Sequence, residues 1–177
     1  MRLLNQYQLK INSSIFSRIC GMTLTILFGF WMLVSPMITA PAWAENYEKQ
    51  DLANTDFSGQ NLTDSEFDFA DLKNSNFSHS DLKGVSLFGA KMQSANFEGA
   101  DLRYATLDTA RFNRANLTNA ILEGAFAYRT DFAGATIDGA DFTDVVLRQD
   151  TEKQLCALAT GTNPVTGRNT RDTLFCD

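Results

Sequence analysis

The chain has 177 residues, of which 44% are hydrophobic and 20% are charged, and its formal net charge at pH 7 is −6. This composition excludes a disordered chain, a collagen-like chain and a membrane protein with several spans. The charge is unevenly spread, because the first 44 residues hold three basic residues and no acid, whereas the remainder holds all 21 acids and carries −9. Such an acidic surface argues against a nucleic-acid partner, which requires positive patches.

Residues 1–44 have the order of a secretory signal peptide. A basic stretch reaches Arg18, an apolar run follows over 19–34, and small residues end the segment at Ala44. We predict cleavage between Ala44 and Glu45, after which no membrane segment remains. A retained anchor is the alternative, but an apolar run of about 16 residues is shorter than the roughly 20 needed to cross a bilayer.

Downstream of this leader, large apolar residues recur at every fifth position. Alanine commonly stands two positions before each of them and Asp or Asn one position before, as in Ala100-Asp101-Leu102. The apolar series, interrupted by the small residue Ala127, is Leu52, Phe57, Leu62, Phe67, Leu72, Phe77, Leu82, Leu87, Met92, Phe97, Leu102, Leu107, Phe112, Leu117, Leu122, Phe132, Ile137, Phe142 and Leu147.

A period of five fits neither an α-helix nor a flat strand. Successive apolar residues would spiral around every face of a helix and would alternate between the two faces of a strand. The pattern becomes consistent if the chain turns a corner every five residues, so that every large residue points into the interior of a solenoid. Alanine then shares the crowded interior, and the remaining polar residues and glycines face water or form the corners.

These motifs resemble the pentapeptide-repeat family, whose repeat is Ala-(Asp/Asn)-Leu-x-x or its Phe-centred equivalent. The resemblance implies an all-β solenoid, a right-handed quadrilateral β-helix with four repeats per coil. Matching repeats from about Gln50 to Gln149 predict about five coils, and we assign 45–149 to the β-helix. Stacking by twenty predicts four interior columns, which begin at Leu52, Phe57, Leu62 and Phe67 and define sides one to four.

Ala127 falls in the column of side four, where its neighbours are large. We expect either a local void or an inward shift of Phe126, because a missing large side chain in a packed core is costly unless the site collapses.

After Leu147 the period ends, and residues 150–177 are predicted to form a short helical cap. Thr151 and Gln154 have capping-box spacing for one helix, and a last short element is expected over 171–175. Such a cap covers strand edges that would otherwise pair with other chains. Cys156 and Cys176 are the two cysteines left after export, and two cysteines in an exported chain indicate a disulfide.

The segments around these cysteines resemble the cap of lumenal pentapeptide-repeat proteins of cyanobacteria and chloroplasts. That resemblance implies delivery to the thylakoid lumen. The periplasm is the alternative, because the leader does not separate the two compartments.

We find no catalytic, cofactor-binding or metal-binding motif in the sequence. His79 stands at an outward repeat position, which indicates a solvated surface residue. The aspartates at 81, 101 and 141 form a column that Ile121 interrupts, with Lys83 and Arg103 beside it, so we interpret it as a solvated face and not a cation site.

Five aromatic residues occupy outward positions on or beside side four. They either stack on one another as external support for the wall or form a surface that binds a protein partner, because clustered exposed aromatics mark interfaces. The five are Phe69, Phe88, Tyr104, Phe126 and Tyr128.

Three functions remain open from the sequence. The leading hypothesis is a non-enzymatic scaffold or protein-interaction module in the thylakoid lumen, with a protein partner of unknown identity. The second is a lumenal protein switched by reduction of the cysteine pair, although 19 intervening residues do not resemble a Cys-x-x-Cys redox motif. The third, a DNA mimic that inhibits gyrase as some family members do, is disfavoured by the export signal and by positive charge on side one at Lys73, Lys91, Arg111 and Arg114.

Overall fold

A computed structural model describes residues 45–176, and the predicted leader lies outside the described residues. The chain winds as a four-sided β-helix in which each five-residue repeat forms one side. The residue before each repeat centre makes a parallel β-bridge to the residue twenty positions later. These bridges recur every five residues, from Asn46–Glu66 to Phe126–Val146, and no longer strand is present in the described part.

Each corner is a tight turn closed by a backbone hydrogen bond. The amide three residues after a repeat centre donates to the carbonyl of that centre, as Thr55 does to Leu52 at 3.2 Å. From Lys49 (58°) to Asp144 (55°), the second residue after a centre adopts a positive φ at every described corner except that of Arg129. Gly and Asn are frequent at this position because they adopt left-handed dihedrals at the lowest cost.

The core consists of the four predicted columns. On side two, the ring centroids of Phe57 and Phe77 lie 4.8 Å apart and those of Phe77 and Phe97 lie 4.9 Å apart, both pairs being stacked. Tyr47 stacks on Phe67 at 4.5 Å and therefore adds one repeat before the first that the sequence pattern identified. A tyrosine does not match the Leu/Phe motif, but its ring fills the same place in the column.

Alanine or serine fills the buried position two residues before most centres, and Val85 and Thr130 also occupy it. The hydroxyl of Ser75 donates to the carbonyl of Leu72 at 2.6 Å, and that of Ser80 donates to Phe77 at 2.7 Å. Serine is tolerated in this interior because the corner carbonyl satisfies its hydroxyl.

The carboxyl-terminal end is covered by two short helices, α1 (Gln149–Cys156) and α2 (Thr170–Thr173). The capping-box prediction for Thr151 is wrong, because α1 begins two residues earlier with Arg148 as its N-cap and without a side-chain cap. The helix follows directly from the last coil, so the chain needs no separate cap to begin it. In α2 the side chain of Asn169 accepts a hydrogen bond from the amide of Arg171.

The cap closes the core with apolar side chains and a covalent link. Leu155, Ala159 and Leu174 are buried and join the core cluster of the β-helix. The Sγ atoms of Cys156 and Cys176 lie 1.99 Å apart and form a disulfide, with a Cα–Cα distance of 5.6 Å.

Asn163 anchors the loop between α1 and α2 to the last two coils. Its fully buried amide nitrogen donates to the carbonyls of Gly139 at 2.9 Å and Asn119 at 3.1 Å. Its Oδ1 accepts from the amides of Val165 at 2.9 Å and Thr166 at 3.1 Å. The cap is thus fixed by a polar residue as well as by the disulfide.

Candidate functional site

The five outward aromatics predicted near side four do lie together there. Phe69, Phe126 and Tyr128 are 49%, 44% and 48% exposed, Tyr104 is 67% exposed, and Phe88 is half-buried. We call these five residues the aromatic strip. The structure shows them at the surface of one side and of its two bordering corners.

Val146 extends the strip and was not identified from the sequence. It occupies the same repeat position as Phe126, one coil later, forms a β-bridge to it and is 45% exposed. Within the described β-helix, the large hydrophobic residues that are more than 40% exposed all lie on side four or at its corners. The signal was present in the sequence, because Val146 is an apolar residue in a position that is polar on most other sides.

Two strip residues support one another, as one of the sequence interpretations expected. The rings of Phe69 and Phe88 meet edge to face with centroids 5.3 Å apart. Tyr104, Phe126 and Tyr128 make no ring contact of this kind among the described residues. Edge-to-face stacking therefore accounts for Phe69 and Phe88, whereas Phe126 and Tyr128 have no such ring contact among the described residues.

Glycines at the corners allow the aromatic side chains to lie along the rod. A Cβ atom at Gly89 would lie 2.7 Å from the Phe69 ring, and one at Gly124 would lie 2.7 Å from the Tyr104 ring. Both glycines also have positive φ, at 65° and 69°. A bulky corner residue followed by glycine twenty positions later is a sequence signal for this arrangement that the motif analysis missed.

The corner after Ala127 departs from the others. Arg129 is the exception among the described corners in that its φ is not positive, and its amide donates to Oδ1 of Asp108 at 2.9 Å instead of to the next coil. The hydroxyl of Thr130 donates inward to the carbonyl of Leu107 at 2.7 Å. Phe126 stays outside, so the inward shift, one of the two expectations for this site, is wrong, and the corner after the small Ala127 is changed instead.

An ion pair holds this altered corner. Nη2 of Arg129 lies 2.6 Å from Oδ2 of Asp108, whose side chain is 7% exposed while that of Arg129 is 58% exposed. The hydrogen bond from the Arg129 side chain lowers the pKa of Asp108 below its ordinary value. The ion pair thus places a guanidinium next to Tyr128 on the outer surface.

The other sides have polar outer surfaces. On side two, the Nδ2 atoms of Asn76, Asn96 and Asn116 each donate to the side-chain oxygen of the preceding coil, at 3.1, 3.1 and 3.0 Å. The same oxygens accept a hydrogen bond from the amide at the next corner, as Asn96 does from Glu98. This ladder satisfies its own polar groups.

The aspartate column of side three is occupied by cationic side chains. Nζ of Lys83 lies 3.1 Å from Asp81 and 3.2 Å from Asp101, and Arg103 also pairs with Asp101. Burial raises the pKa of Asp101, but the hydrogen bonds from Arg103 and Lys83 outweigh burial and lower that pKa overall. The carboxylates of Asp81 and Asp101 are thus neutralised by neighbouring bases. The expectation of a solvated face is wrong for Asp141, which is buried.

The loop that follows α1 buries the last aspartate of this column. Asp141 is 0% exposed, and Nη1 of Arg168 lies 3.2 Å from both Asp141 and Glu123. Burial raises the pKa of Asp141, but the Thr143 hydrogen bonds and the Arg168 charge outweigh burial and lower it. This aspartate therefore fixes the cap to the β-helix.

His79 is exposed, and its ring lies over the corner of the next coil. A Cβ atom at Gly99 would lie 2.6 Å from Nδ1 of His79. Within residues 45–176 the structure contains no group of three or more His, Cys, Asp or Glu side chains placed to hold a metal ion. In the same range, no helix has the length and apolar character needed to cross a bilayer.

Comparison with known proteins identifies the repeat. The family model "Pentapeptide repeats" matches in eight copies over residues 48–78, 80–113 and 110–149. The chain is 56% identical over 48 residues to the chloroplastic thylakoid lumenal 15 kDa protein 1 of Arabidopsis thaliana, which is 27% of this chain and 21% of that protein. It is 52% identical over 46 residues to the chloroplastic thylakoid lumenal protein TL20.3 of the same plant, which is 26% of this chain and 16% of that protein. The matched segments therefore span about a fifth of the length of these curated relatives.

Solved structures give a longer match. A pentapeptide repeat protein from the Arabidopsis thaliana thylakoid lumen is 46% identical with a TM-score of 0.73, over 74% of this chain and 91% of that one. A pentapeptide repeat protein from Nostoc Pcc 7120 is 26% identical with a TM-score of 0.52, over 59% of this chain and 85% of that one. The fold is the right-handed quadrilateral β-helix, and the chain belongs to the pentapeptide-repeat family.

Proposed function

We propose that this chain is a non-enzymatic scaffold of the thylakoid lumen that binds a protein partner through the aromatic strip. The observation that carries the proposal is the confinement of exposed large hydrophobic residues of the β-helix to side four. Scattered apolar residues on a soluble surface need no explanation, but a contiguous patch commonly marks an interface. On sides two and three the outer polar groups are paired or satisfy one another.

The composition of the strip favours a protein partner. Tyrosine, phenylalanine and arginine are enriched at the centres of protein interfaces. Tyr128 lies beside Arg129, whose guanidinium Asp108 holds at the surface. This patch therefore offers a partner apolar contact together with the hydrogen-bond donors of the Arg129 guanidinium.

Three carboxylates of the β-helix have the charge state of structural ion pairs. Asp101, Asp108 and Asp141 have lowered pKa values because basic side chains or hydrogen-bond donors stabilise their charged forms. A general acid or base near neutral pH needs the opposite shift. These carboxylates are consistent with structural ion pairs.

The location rests on the predicted leader and on the named relatives. The leader predicts export and cleavage after Ala44, and the Arabidopsis relatives are described as proteins of the thylakoid lumen. Export to the periplasm is the alternative that the leader by itself permits.

Differential affinity capture from a lumenal fraction tests the proposal. The bait is the chain from Glu45 onward, which contains the complete core, and the test variant carries Phe126→Glu and Tyr128→Glu. The control carries Thr118→Glu and Thr136→Glu, which add the same charge at the corresponding repeat positions of side two. We expect a stoichiometric partner that the wild type and the control retain and the strip variant loses. Equal capture by all three proteins would exclude the strip as the binding surface.

A further inference from the structure

Side one differs in charge from the other three sides of the β-helix. Counted over the outward positions of residues 46–149, side one carries four bases and three acids, whereas each other side carries more acids than bases. The four bases are Lys73, Lys91, Arg111 and Arg114, and all of them are exposed. We call these four residues the basic patch. Because the chain after the predicted leader carries −9, the basic patch is a local positive area on an acidic rod.

Two residues of the basic patch have no carboxylate partner among residues 45–176. Arg111 and Arg114 make no side-chain hydrogen bond or ion pair there, whereas every base on sides three and four pairs with a carboxylate. Asp131 forms a β-bridge to Arg111, but its carboxylate is engaged elsewhere. Its Oδ2 accepts from Nδ2 of Asn113 at 2.6 Å, and its Oδ1 accepts from the amide of Ala133 at 3.0 Å. The donors of both guanidinium groups are therefore available to a carboxylate from another molecule.

The basic patch also places like charges next to each other. Lys91 and Arg111 are β-bridge partners, so their backbones lie about 4.8 Å apart, and like charges directly opposite each other destabilise a sheet. One carboxylate serves both lysines, because Oδ2 of Asp71 lies 2.9 Å from Nζ of Lys73 and 3.8 Å from Nζ of Lys91. The fold does not require bases in this column, since Asp71 and Asp131 occupy the same repeat position in the adjoining coils.

The chemistry of the basic patch fits carboxylates of a polypeptide better than a lipid surface. A guanidinium group can bind a carboxylate through two parallel hydrogen bonds. The outward residues among the bases are Gln93, Ser94 and Asn113, which add polar groups that can hydrogen-bond to a peptide. Binding to a membrane surface increases with buried apolar area as well as with charge, and no large hydrophobic residue is exposed beside the basic patch.

We propose that the basic patch binds an acidic segment of a partner protein. Carboxylates of the segment pair with Arg111 and Arg114, and the lysines of the two preceding coils add positive charge. Complementary charges of this kind fix the orientation of a partner and speed its association. The basic patch goes beyond the function proposed above, because it is a second surface on a different side of the rod from Phe126 and Tyr128.

Fluorescence anisotropy with a labelled ten-residue peptide of alternating glutamate and serine tests the proposal. The protein is the chain from Glu45 onward, at about 50 mM salt, where charges are weakly screened. The patch variant carries Arg111→Asn and Arg114→Asn. Asparagine already occupies these repeat positions at Asn96 and Asn74, and the latter has a positive φ of 56° as Arg114 has one of 58°. The variant is therefore expected to fold.

The matched control carries Arg148→Gln and Lys153→Gln, which remove the same charge from exposed residues near the cap. We expect the patch variant to bind the peptide about tenfold more weakly, as the loss of two exposed charge contacts predicts, while the control binds like the wild type. Arg111→Lys with Arg114→Lys should bind with intermediate affinity, because lysine keeps the charge but not the paired donors. A peptide with glutamine in place of glutamate should bind poorly to every variant.

Four results would overturn the proposal. They are no saturable binding of the acidic peptide by the wild type, equal weakening by the patch and control variants, equal binding of the glutamine peptide, and binding to anionic lipid vesicles that the patch variant loses while its peptide binding is unchanged. The last result would assign the basic patch to a membrane surface.

A further variant separates this proposal from the aromatic-strip proposal. Phe126→Ser with Tyr128→Ser removes strip aromatics without adding charge, and it should leave binding of the acidic peptide unchanged. Conversely, capture of a partner through the aromatic strip does not depend on peptide binding by the basic patch. Each proposal can therefore fail while the other stands.

Discussion

The core of the β-helix is covered by a cap at its carboxyl-terminal end, whereas its amino-terminal end has no such cover among the described residues. At the carboxyl-terminal end, Leu155 and Leu174 cover the core, and the hydrogen bonds of Asn163 fix the loop between the helices. At the amino-terminal end, Leu52 stays half-buried and the outer amides of the first coil are unpaired among the described residues. Because each coil of a solenoid contacts only the coils next to it, a cap at one end does not cover or stabilise the other end. Each end must therefore be stabilised locally.

The largest loss of stability is expected from a substitution in the middle of the core, and a smaller loss from the matching substitution in the first coil. Phe97→Ala removes a fully buried ring that stacks on Phe77, and we expect a loss of about 3–5 kcal/mol in the free energy of unfolding. Leu52→Ala at the open end should cost less than about 2 kcal/mol, since the side chain is already partly hydrated. Urea unfolding followed by circular dichroism measures both. Equal losses would show that the first coil is covered in solution.

A smaller effect is expected when the covalent link of the cap is removed. The Cys156–Cys176 disulfide spans 20 residues, so Cys156→Ser should lower the free energy of unfolding by about 3 kcal/mol on the chain-entropy estimate. Because Asn163 and Arg168 hold the same loop independently, we expect the variant to keep the folded cap. Amide exchange at Gly139 and Phe142, which donate to cap oxygens, reports cap opening.

The redox hypothesis makes the opposite prediction for the same measurement. If reduction of the wild type exposes the amides of Gly139 and Phe142 to fast exchange, the cysteine pair acts as a switch. Continued protection after reduction would assign the disulfide to stability alone. A reduction potential below about −300 mV would support the second result.

The smallest effect on the free energy of unfolding is expected from lowering the pH. The folded pKa of Asp141 lies below its unfolded value of about 3.9, so its stabilising contribution is fully present above that value and is lost as pH falls through the folded pKa. We expect stability to decline below about pH 4, with Asp141→Asn reducing the slope of that decline. Asp144→Asn, which removes an exposed carboxylate outside the buried ion pair, is the control variant. Thermal unfolding between pH 3 and 7 provides the measurement, and an unchanged slope in Asp141→Asn would contradict the assignment.

The sequence predicted the β-helix better than it predicted the cap. Five-residue spacing of large side chains is a local signal repeated in every coil, so the columns and corners follow from it directly. The cap has no such repetition, and the capping-box spacing at Thr151 was misleading because α1 continues from the last coil without a side-chain cap. The role of Asn163 could not be predicted from a local pattern either, because its side-chain amide donates to carbonyls 24 and 44 residues away.

The candidate surface was predicted in part. Register alone placed Phe69, Phe88, Tyr104, Phe126 and Tyr128 on or beside side four, and the structure places them there. Register did not show that Phe69 and Phe88 contact each other, nor that Asp108 and Arg129 hold a changed corner after Ala127. Those outcomes depend on how side chains of successive coils contact one another.

The sequence by itself determined the period, the inward columns and the family, because the same five-residue pattern recurs in every repeat. The tertiary structure decided which outward groups are paired and which are free. The carboxylates of side three and of Asp141 are neutralised by bases from other repeats or from the cap, while the aromatic strip and the first-coil edge have no such cover among the described residues. The physical reason is that pairing depends on distance between groups twenty or more residues apart, which the winding of the coils and the placement of the cap set.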